Sequence, residues 1–117
     1  SCGGVERSLK EKIESYLGFA RRSGNLLSGY NTCIHGIQRG KIHLMILAED
    51  ISEQTNKKFL NLCSEMAVPC KVYGTSGELS RITGTDNRGV FGITDRNFAR
   101  VIQQEIDQKL DQKKEVR

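Results

Sequence analysis

The run of residues 42–48 limits the fold of this chain more than any other part of the sequence. Six of its seven residues are apolar, and only His43 interrupts them. A strand with one face in water alternates apolar and polar side chains, whereas a strand covered on both faces is apolar almost throughout. The run therefore predicts a central strand with other elements packed against both of its faces.

Helical and extended patterns alternate around this strand. Apolar side chains recur at helical spacing in several stretches, and short apolar segments separate those stretches. We predict helices over residues 5–22, 31–39, 50–67, 75–83 and 95–110, and strands over residues 26–27, 42–48, 70–73 and 90–94. This order favours an α/β fold, a three-layer α/β/α sandwich with a mixed sheet of about four strands.

Polar residues mark the starts of the last three helices. Asp50 with Glu53, and Thr75 with Glu78, have the spacing of a capping box. Asp95 stands just before the final helical pattern, where a carboxylate accepts hydrogen bonds from the first turn. We therefore expect Asp50, Thr75 and Asp95 to begin these helices.

The length of 117 residues suits one domain and is too short for two. We expect this domain over residues 5–110, with residues 1–4 a disordered lead-in or a cloning remnant and residues 111–117 a frayed charged tail. No apolar run approaches the roughly 20 residues that cross a bilayer. A basic-then-apolar secretory signal is also missing, so we expect a cytoplasmic protein without membrane contact.

The cysteines and histidines do not form a recognisable metal or catalytic motif. Cys2, Cys33, Cys63 and Cys70 include no C-x-x-C pair, and we expect reduced thiols. Cys33 and His35 are too sparse for a zinc site, and at two residues apart on a helix they point in different directions. With no glycine-rich nucleotide motif either, we expect no cofactor, no metal, no small-molecule substrate and no enzymatic activity.

Positive charge is concentrated toward one end of the chain. Residues 1–41 contain seven Lys/Arg and three Asp/Glu, whereas residues 42–117 contain eleven of each. An uneven basic sector of this kind suits a polyanion such as RNA, although many solvated surfaces are equally basic.

Two polar segments are candidates for a binding site. In the first, residues 28–32, Gly29 allows close backbone approach and the start of a helix offers unpaired N–H groups to an anion. The second is the loop of residues 82–87. On pattern alone, the better supported interpretation is that Gly29 turns the chain, Asn31 caps the helix and the loop is an ordinary connection.

Taken in order, several short motifs resemble the kink-turn-binding ribosomal protein family. They are Gly29-Tyr30-Asn31, His35, Arg39-Gly40, Ala48-Glu49-Asp50, and Leu79 with Gly84. The segments of residues 17–22 and 94–99 look most like the small bacterial YlxQ-type branch of that family. The matches run from about residue 13 to residue 103, so the resemblance covers nearly the whole predicted domain.

This resemblance implies an α/β/α protein that binds kink-turns, which are internal loops that bend RNA sharply and extrude a base. RNA duplexes hide their base edges, so proteins read such distorted places. The RNA-binding residues that the resemblance implies are Gly29, Asn31, Thr32, His35, Thr83, Gly84, Thr85 and Asp86. Tyr30 is added as an aromatic residue that could stack on RNA, and Arg39 and Lys41 as basic residues that either contact phosphate or are solvated surface charge. The implied partner is structured RNA, with ribosomal RNA one option, bound by a monomer associated with the ribosome or with translation.

The sequence departs from the family pattern at three places. Thr32 stands where the family has Glu, so a short hydroxyl replaces a longer carboxylate that accepts from base amino groups. His35 replaces a Lys and is mostly neutral at cytosolic pH. In the later loop, Thr85 and Asn87 replace apolar residues that pack on the extruded base. A protein-interaction module whose RNA contacts have decayed is therefore the alternative function. For Tyr30 two interpretations stay open, stacking on RNA and packing within the protein.

Overall fold

The computed structural model describes residues 2–86 and 88–115, and the surroundings of side chains over residues 12–86 and 88–108. The elements in chain order are α1 (Cys2–Arg22), β1 (Leu26–Ser28), α2 (Tyr30–Gln38), β2 (Leu44–Leu47), α3 (Glu53–Met66), β3 (Cys70–Val72), α4 (Ser76–Thr83), β4 (Val90–Ile93) and α5 (Arg96–Glu115). The predictions for residues 1–4 and 111–117 fall partly outside these residues and stay predictions, as does any role for Asn87.

The four strands form one mixed sheet in the order β1-β4-β2-β3. Strand β4 is antiparallel to both of its neighbours, and β3 is parallel to β2. The segments that follow β1, β2 and β3 therefore lie at the same end of the strands as the segment that precedes β4. We call this end of the sheet the rim; it comprises residues 29–32, 48–52, 73–76 and 88–89.

Strand β2 lies at the centre, with all four of its residues buried. Leu44 and Ile46 belong to the apolar core that β2 shares with α1, α4 and α5, whereas Met45 and Leu47 belong to the core shared with α2 and α3. Successive side chains of a strand point to opposite faces, so a strand between two helical layers must be apolar at every position. The predicted three-layer sandwich with four strands is confirmed.

Two of the three predicted helix starts are confirmed. The backbone N–H of Glu78 donates to Thr75 Oγ1 at 3.2 Å at the start of α4. At the start of α5, the backbone N–H of Phe98 donates to Asp95 Oδ1 at 3.0 Å. Each acceptor satisfies an N–H group that the first helical turn leaves unpaired.

The predicted cap at Asp50 is wrong. Helix α3 is capped instead by Ser52, the residue before its first turn, whose hydroxyl oxygen accepts from the backbone N–H of Thr55 at 3.2 Å. The carboxylate of Asp50 turns to another helix and accepts from Ser76, at 2.9 Å from its N–H group and 2.7 Å from its hydroxyl. Because Ser52 caps α3, the Asp50 carboxylate is free to accept from Ser76, 26 residues away. The spacing of neighbouring residues cannot predict a contact over that distance.

No helix in the described part of the chain is both long enough and apolar enough to pass through a membrane.

Candidate nucleic-acid interface

Helix α2 begins at the rim with Gly29 in a conformation that suits glycine alone. Gly29 has φ 99° and ψ 152°, a region closed to residues with a Cβ. Its N–H donates to the carbonyl of Val90 at 3.2 Å, which fixes the helix start against β4. No side chain caps this helix, so the N–H groups of its first turn face outward at the positive end of the helix dipole. Gly29, rather than Asn31, occupies the cap position.

The side chains of the first turn of α2 are open to a ligand. Asn31 and Thr32 are exposed. Tyr30 is 43% exposed, and its ring meets the ring of Phe59 edge-on with centroids 5.4 Å apart. Tyr30 therefore packs on α3 and still offers part of its ring to a base or sugar.

Arg88, which the sequence analysis did not select, lies directly over Gly29. A Cβ placed on Gly29 would be 3.1 Å from Nη1 of Arg88. The absence of a side chain at residue 29 thus makes room for a guanidinium beside the uncapped helix start. Two sources of positive potential converge here, and both are typical of sites that bind phosphate.

Ser80 holds Arg88 in place. Its hydroxyl oxygen accepts from the backbone N–H of Arg88 at 2.8 Å, and the same hydroxyl donates to the Arg88 carbonyl at 3.0 Å. Ser80 is only 6% exposed, so this is an inward contact and its side chain does not face a ligand. The next residue, Gly89, leaves no room for a side chain, because a Cβ there would lie 2.5 Å from Cγ2 of Ile51. The backbone before β4 therefore packs closely against the loop after β2.

The contact between Asp50 and Ser76 joins two more segments of the rim. The hydroxyl of Ser76, and then its backbone N–H, hold the pKa of the Asp50 carboxyl below its ordinary value. The carboxylate is exposed and stays ionised at neutral pH. It thus ties the loop after β2 to the start of α4.

A pocket of about 330 Å³ opens at the rim between these groups. The residues that line it are Gly29, Tyr30, Ile51, Ser52, Thr55, Ser76, Arg88, Gly89 and Val90. They combine three aliphatic hydroxyl groups, the phenol ring of Tyr30 and a guanidinium, which together suit a flat polar group attached to a phosphate. We call it the rim pocket.

Of the four predicted RNA-binding residues at the end of α4 and in the loop after it, two are exposed. Thr83 is 3% exposed, and its hydroxyl donates to the Leu79 carbonyl at 2.8 Å, so its side chain does not reach the surface. Gly84 ends α4 in the left-handed region at φ 70° and is exposed, as is Asp86, whereas Thr85 is partly buried beside Thr83. The contact with Gly29 is made by Arg88, which follows this loop, and not by Thr83.

A longer, open groove of about 770 Å³ follows α2 away from the rim. We call it the α2 groove; it is lined by Gly24, Leu27, Thr32, His35, Gly36, Arg39, Lys41, His43 and Thr94. His35, Arg39 and Lys41 are exposed, and His43 is partly exposed.

Cys33 lies behind this surface in the core. Its thiol is within 3.7 Å of the Leu27 carbonyl, and burial raises the pKa of the Cys33 thiol to about 12. A thiol held in this way stays protonated at neutral pH and is a poor nucleophile. Within the described residues, His, Cys, Asp and Glu form no group of three that could hold a metal ion.

Comparison with known proteins gives a family match across most of the chain. The model of the ribosomal protein L7Ae/L30e/S12e/Gadd45 family matches residues 11–103. The RNA-binding protein YlxQ of Enterococcus faecium is 33% identical over 98 residues, covering 84% of this chain and 94% of that protein. The RNA-binding protein YlxQ of Bacillus subtilis (strain 168) is 35% identical over 83 residues, covering 71% and 83%.

Solved structures show the same fold. A protein of unknown function from Bacillus halodurans C superposes with a TM-score of 0.80 at 36% identity, covering 82% of this chain and 97% of that one. The Giardia lamblia 15.5kD RNA binding protein superposes with a TM-score of 0.72 at 18% identity, covering 89% of each chain. At that identity the second likeness concerns the fold alone.

Proposed function

The chain belongs to the ribosomal protein L7Ae/L30e/S12e/Gadd45 family, in its YlxQ-type branch, and from this premise we propose that it binds kink-turn RNA or similarly bent, structured RNA without catalysing a reaction. We further propose that it acts as a cytoplasmic monomer and that its RNA belongs to the ribosome or to translation. The names of its YlxQ relatives support the RNA-binding part of this proposal.

One observation carries the proposal: Arg88 lies over Gly29 at the uncapped start of α2. The unpaired N–H groups and the guanidinium supply two kinds of phosphate contact at the same point. Asn31 is exposed beside them, with an amide that both donates to and accepts from base edges. A phosphate fixed at this point would bring an exposed base edge within reach of Asn31.

The rim pocket accounts for the need for bent RNA. A base within a regular duplex is stacked and cannot enter a pocket, whereas a sharply bent internal loop extrudes bases. The hydroxyl protons of Ser52 and Ser76 go to Thr55 and Asp50, so their oxygens can accept from the amino group of such a base, and the exposed part of Tyr30 can contact its face or sugar. Thr85 and Asp86 remain proposed contacts at the outer side of the same loop.

The substitutions relative to the family shift the balance of contacts. Thr32 offers a short hydroxyl where the family has a carboxylate, so less of the base readout comes from α2. His35 is shorter than the Lys of the family and reaches less far from α2. We propose that Arg88 and the exposed Arg39 supply a correspondingly larger part of the affinity.

A binding comparison tests this function. The protein is titrated into a consensus kink-turn RNA and into a straight duplex of equal length and composition, at low salt. The proposal expects binding to the kinked RNA at least about ten-fold tighter, a difference worth about 1.4 kcal/mol. Equal affinity for the two RNAs would contradict kink recognition, and no binding to either at micromolar protein would favour the protein-interaction module.

A further inference from the structure

Two cysteines, at the end of α3 and the start of β3, face the same core. Cys63 lies in the last turn of α3 and is buried. Lys71, which follows Cys70 in β3, reaches the other face of the sheet, where its Nζ is 2.7 Å from Oδ1 of Asp107 on α5. Successive side chains of a strand point to opposite faces, so Cys70 points toward α3. Both cysteines accordingly belong to the core that the sheet shares with α2 and α3.

The connection between these cysteines is short, and hydrogen bonds fix its backbone. Only six residues separate the two cysteines. Ala67 turns the chain in the left-handed region at φ 56°, and the N–H of Val68 donates to the Cys63 carbonyl at 2.8 Å. The Pro69 carbonyl accepts from the N–H of Met45 on β2 at 2.9 Å, which places the start of β3. The chain thus returns to the sheet directly beside the end of α3, and a hydrogen bond joins the two thiols.

The two thiols differ in access and in acidity. Cys70 is partly exposed, whereas Cys63 is enclosed. The hydrogen bond with Cys63, and then the ammonium of Lys71, hold the pKa of the Cys70 thiol below its ordinary value, although burial opposes them. The same hydrogen bond, together with burial, raises the pKa of the Cys63 thiol. Because the thiolate is the nucleophile, Cys70 is the reactive member of the pair.

We propose that Cys70 and Cys63 form a site of reversible oxidation by a peroxide, with Cys70 as the attacking residue and Cys63 as the resolving residue. The Cys70 thiolate first attacks one peroxide oxygen; the O–O bond breaks, hydroxide leaves and Cys70 becomes a sulfenic acid. The Cys63 sulfur then attacks the Cys70 sulfur, an S–S bond forms, and the sulfenic hydroxyl leaves as water with the Cys63 proton.

The reaction balances over these two steps. The two thiols lose two electrons and two protons, and hydrogen peroxide takes them up to give two molecules of water. A dithiol reductant restores both thiols by thiol–disulfide exchange.

This site lies away from the rim. Cys70 is the first residue of β3 and pairs with Met45 on the parallel strand β2. Both strands run toward the rim, so Cys70 lies at their other end. The inference therefore does not rest on the proposed function, and RNA affinity is a separate measurement.

The test oxidises the folded protein with hydrogen peroxide and maps its cysteines by mass spectrometry. Every protein carries Cys2→Ser, which leaves Cys33, Cys63 and Cys70. Samples are quenched at intervals, their free thiols are alkylated, and the protein is digested with trypsin. Cys63 and Cys70 then lie on one peptide, residues 59–71, and Cys33 lies on another. The buried Cys33 serves as the internal control.

The peptide of residues 59–71 is expected to lose both alkylation sites together, at least about ten-fold faster than Cys33 loses its own, and dithiothreitol should restore them. Alkylation is the readout because the exposed Met66 also takes up oxygen. In Cys63→Ala, Cys70 should stop at the sulfenic acid, which dimedone labels. In Cys70→Ala, Cys63 should react as slowly as Cys33.

Three results would overturn the inference. The first is a peptide of residues 59–71 that keeps both alkyl groups until Cys33 has reacted, a measurement that needs no substitution in the core. The second is dimedone labelling of Cys63 in Cys70→Ala at the rate expected for Cys70. The third is a disulfide that joins two molecules instead of closing within one.

Discussion

The guanidinium of Arg88 lies over the backbone of Gly29, with Nη1 3.1 Å from the position that a Cβ would take. This contact joins the start of α2 to the segment before β4, two parts of the chain that are distant in sequence. It exists because Gly29 has no side chain and because Ser80 fixes the backbone of Arg88. The first two predictions test these two conditions.

Replacing Gly29 with Ala should both destabilise the protein and weaken RNA binding. The backbone of Gly29 is in a region that costs a residue with a Cβ about 1–3 kcal/mol, and the new methyl group would also press on Arg88. Urea unfolding measures the first effect, and RNA affinity at a temperature where the variant is folded measures the second.

Gly77→Ala is the control for this change. A Cβ at Gly77 would meet nothing within 4 Å, and the residue lies in α4 without a positive φ. Its substitution should be neutral or stabilise the protein by up to about 1 kcal/mol. Wild-type stability and affinity in Gly29→Ala would mean that the start of α2 does not need glycine.

Replacing Ser80 with Ala should weaken RNA binding even though Ser80 faces inward. The change leaves the N–H and carbonyl of Arg88 without their partner, a loss of about 1–3 kcal/mol in the free energy of unfolding. It also frees Arg88 to leave Gly29. Ser64→Ala, at an exposed position, should change stability by less than about 0.5 kcal/mol.

A double-mutant cycle separates positioning from general destabilisation. If Ser80 acts on RNA through Arg88, the losses of affinity in Ser80→Ala and Arg88→Gln should be clearly less than additive in the double variant. Additive losses would show that Ser80 acts independently of Arg88.

Replacing Asn31 with Ala should lower affinity for kinked RNA by about ten-fold or more, since one good polar base contact contributes about 1–3 kcal/mol. The residue is exposed and does not cap α2, so the free energy of unfolding should stay within about 0.5 kcal/mol of the wild type. Gel shift and urea unfolding check the two parts. An unchanged affinity would remove Asn31 from the interface.

The pKa of Asp50 should lie below its ordinary value of about 3.9, because Ser76 stabilises the carboxylate in the folded state. A pKa lowered by folding contributes stability above the unfolded value, and that contribution is lost as pH falls through the folded value. An NMR titration of the Asp50 carboxyl measures the midpoint directly.

Ser76→Ala removes the first cause of this shift. The Asp50 midpoint should then move upward toward its ordinary value, and the loss of stability as the pH falls below that value should become shallower. A midpoint that is the same in both proteins would show that the contact between Asp50 and Ser76 does not persist in solution.

The sequence was sufficient for the elements whose cause is local. The apolar run at residues 42–48 became the buried strand β2, because its alternate side chains enter two separate cores. The caps at Thr75 and Asp95 were predictable for the same reason, since capping depends on residues three apart. The family resemblance added the membership of a family whose YlxQ relatives are named RNA-binding proteins.

The sequence was insufficient where pairing between distant segments decides the geometry. Arg88 reaches Gly29 only because β4 is antiparallel to β1, a strand order that no local pattern contains. The same holds for Asp50, which bonds Ser76 and not its own helix. A signal for Arg88 was nevertheless present, as a basic residue followed by glycine just before the last predicted strand.

RNA recognition at the rim is tested most directly by an NMR titration of the backbone amides with kink-turn RNA, compared with a straight duplex. We expect the largest chemical-shift changes to occur together at residues 29–32 and 88–89, and to be much smaller with the straight duplex. Shifts at only one of these two segments would contradict it. So would chemical-shift changes concentrated at the amides of Leu60 on α3 and Val72 on β3, whose apolar side chains are exposed.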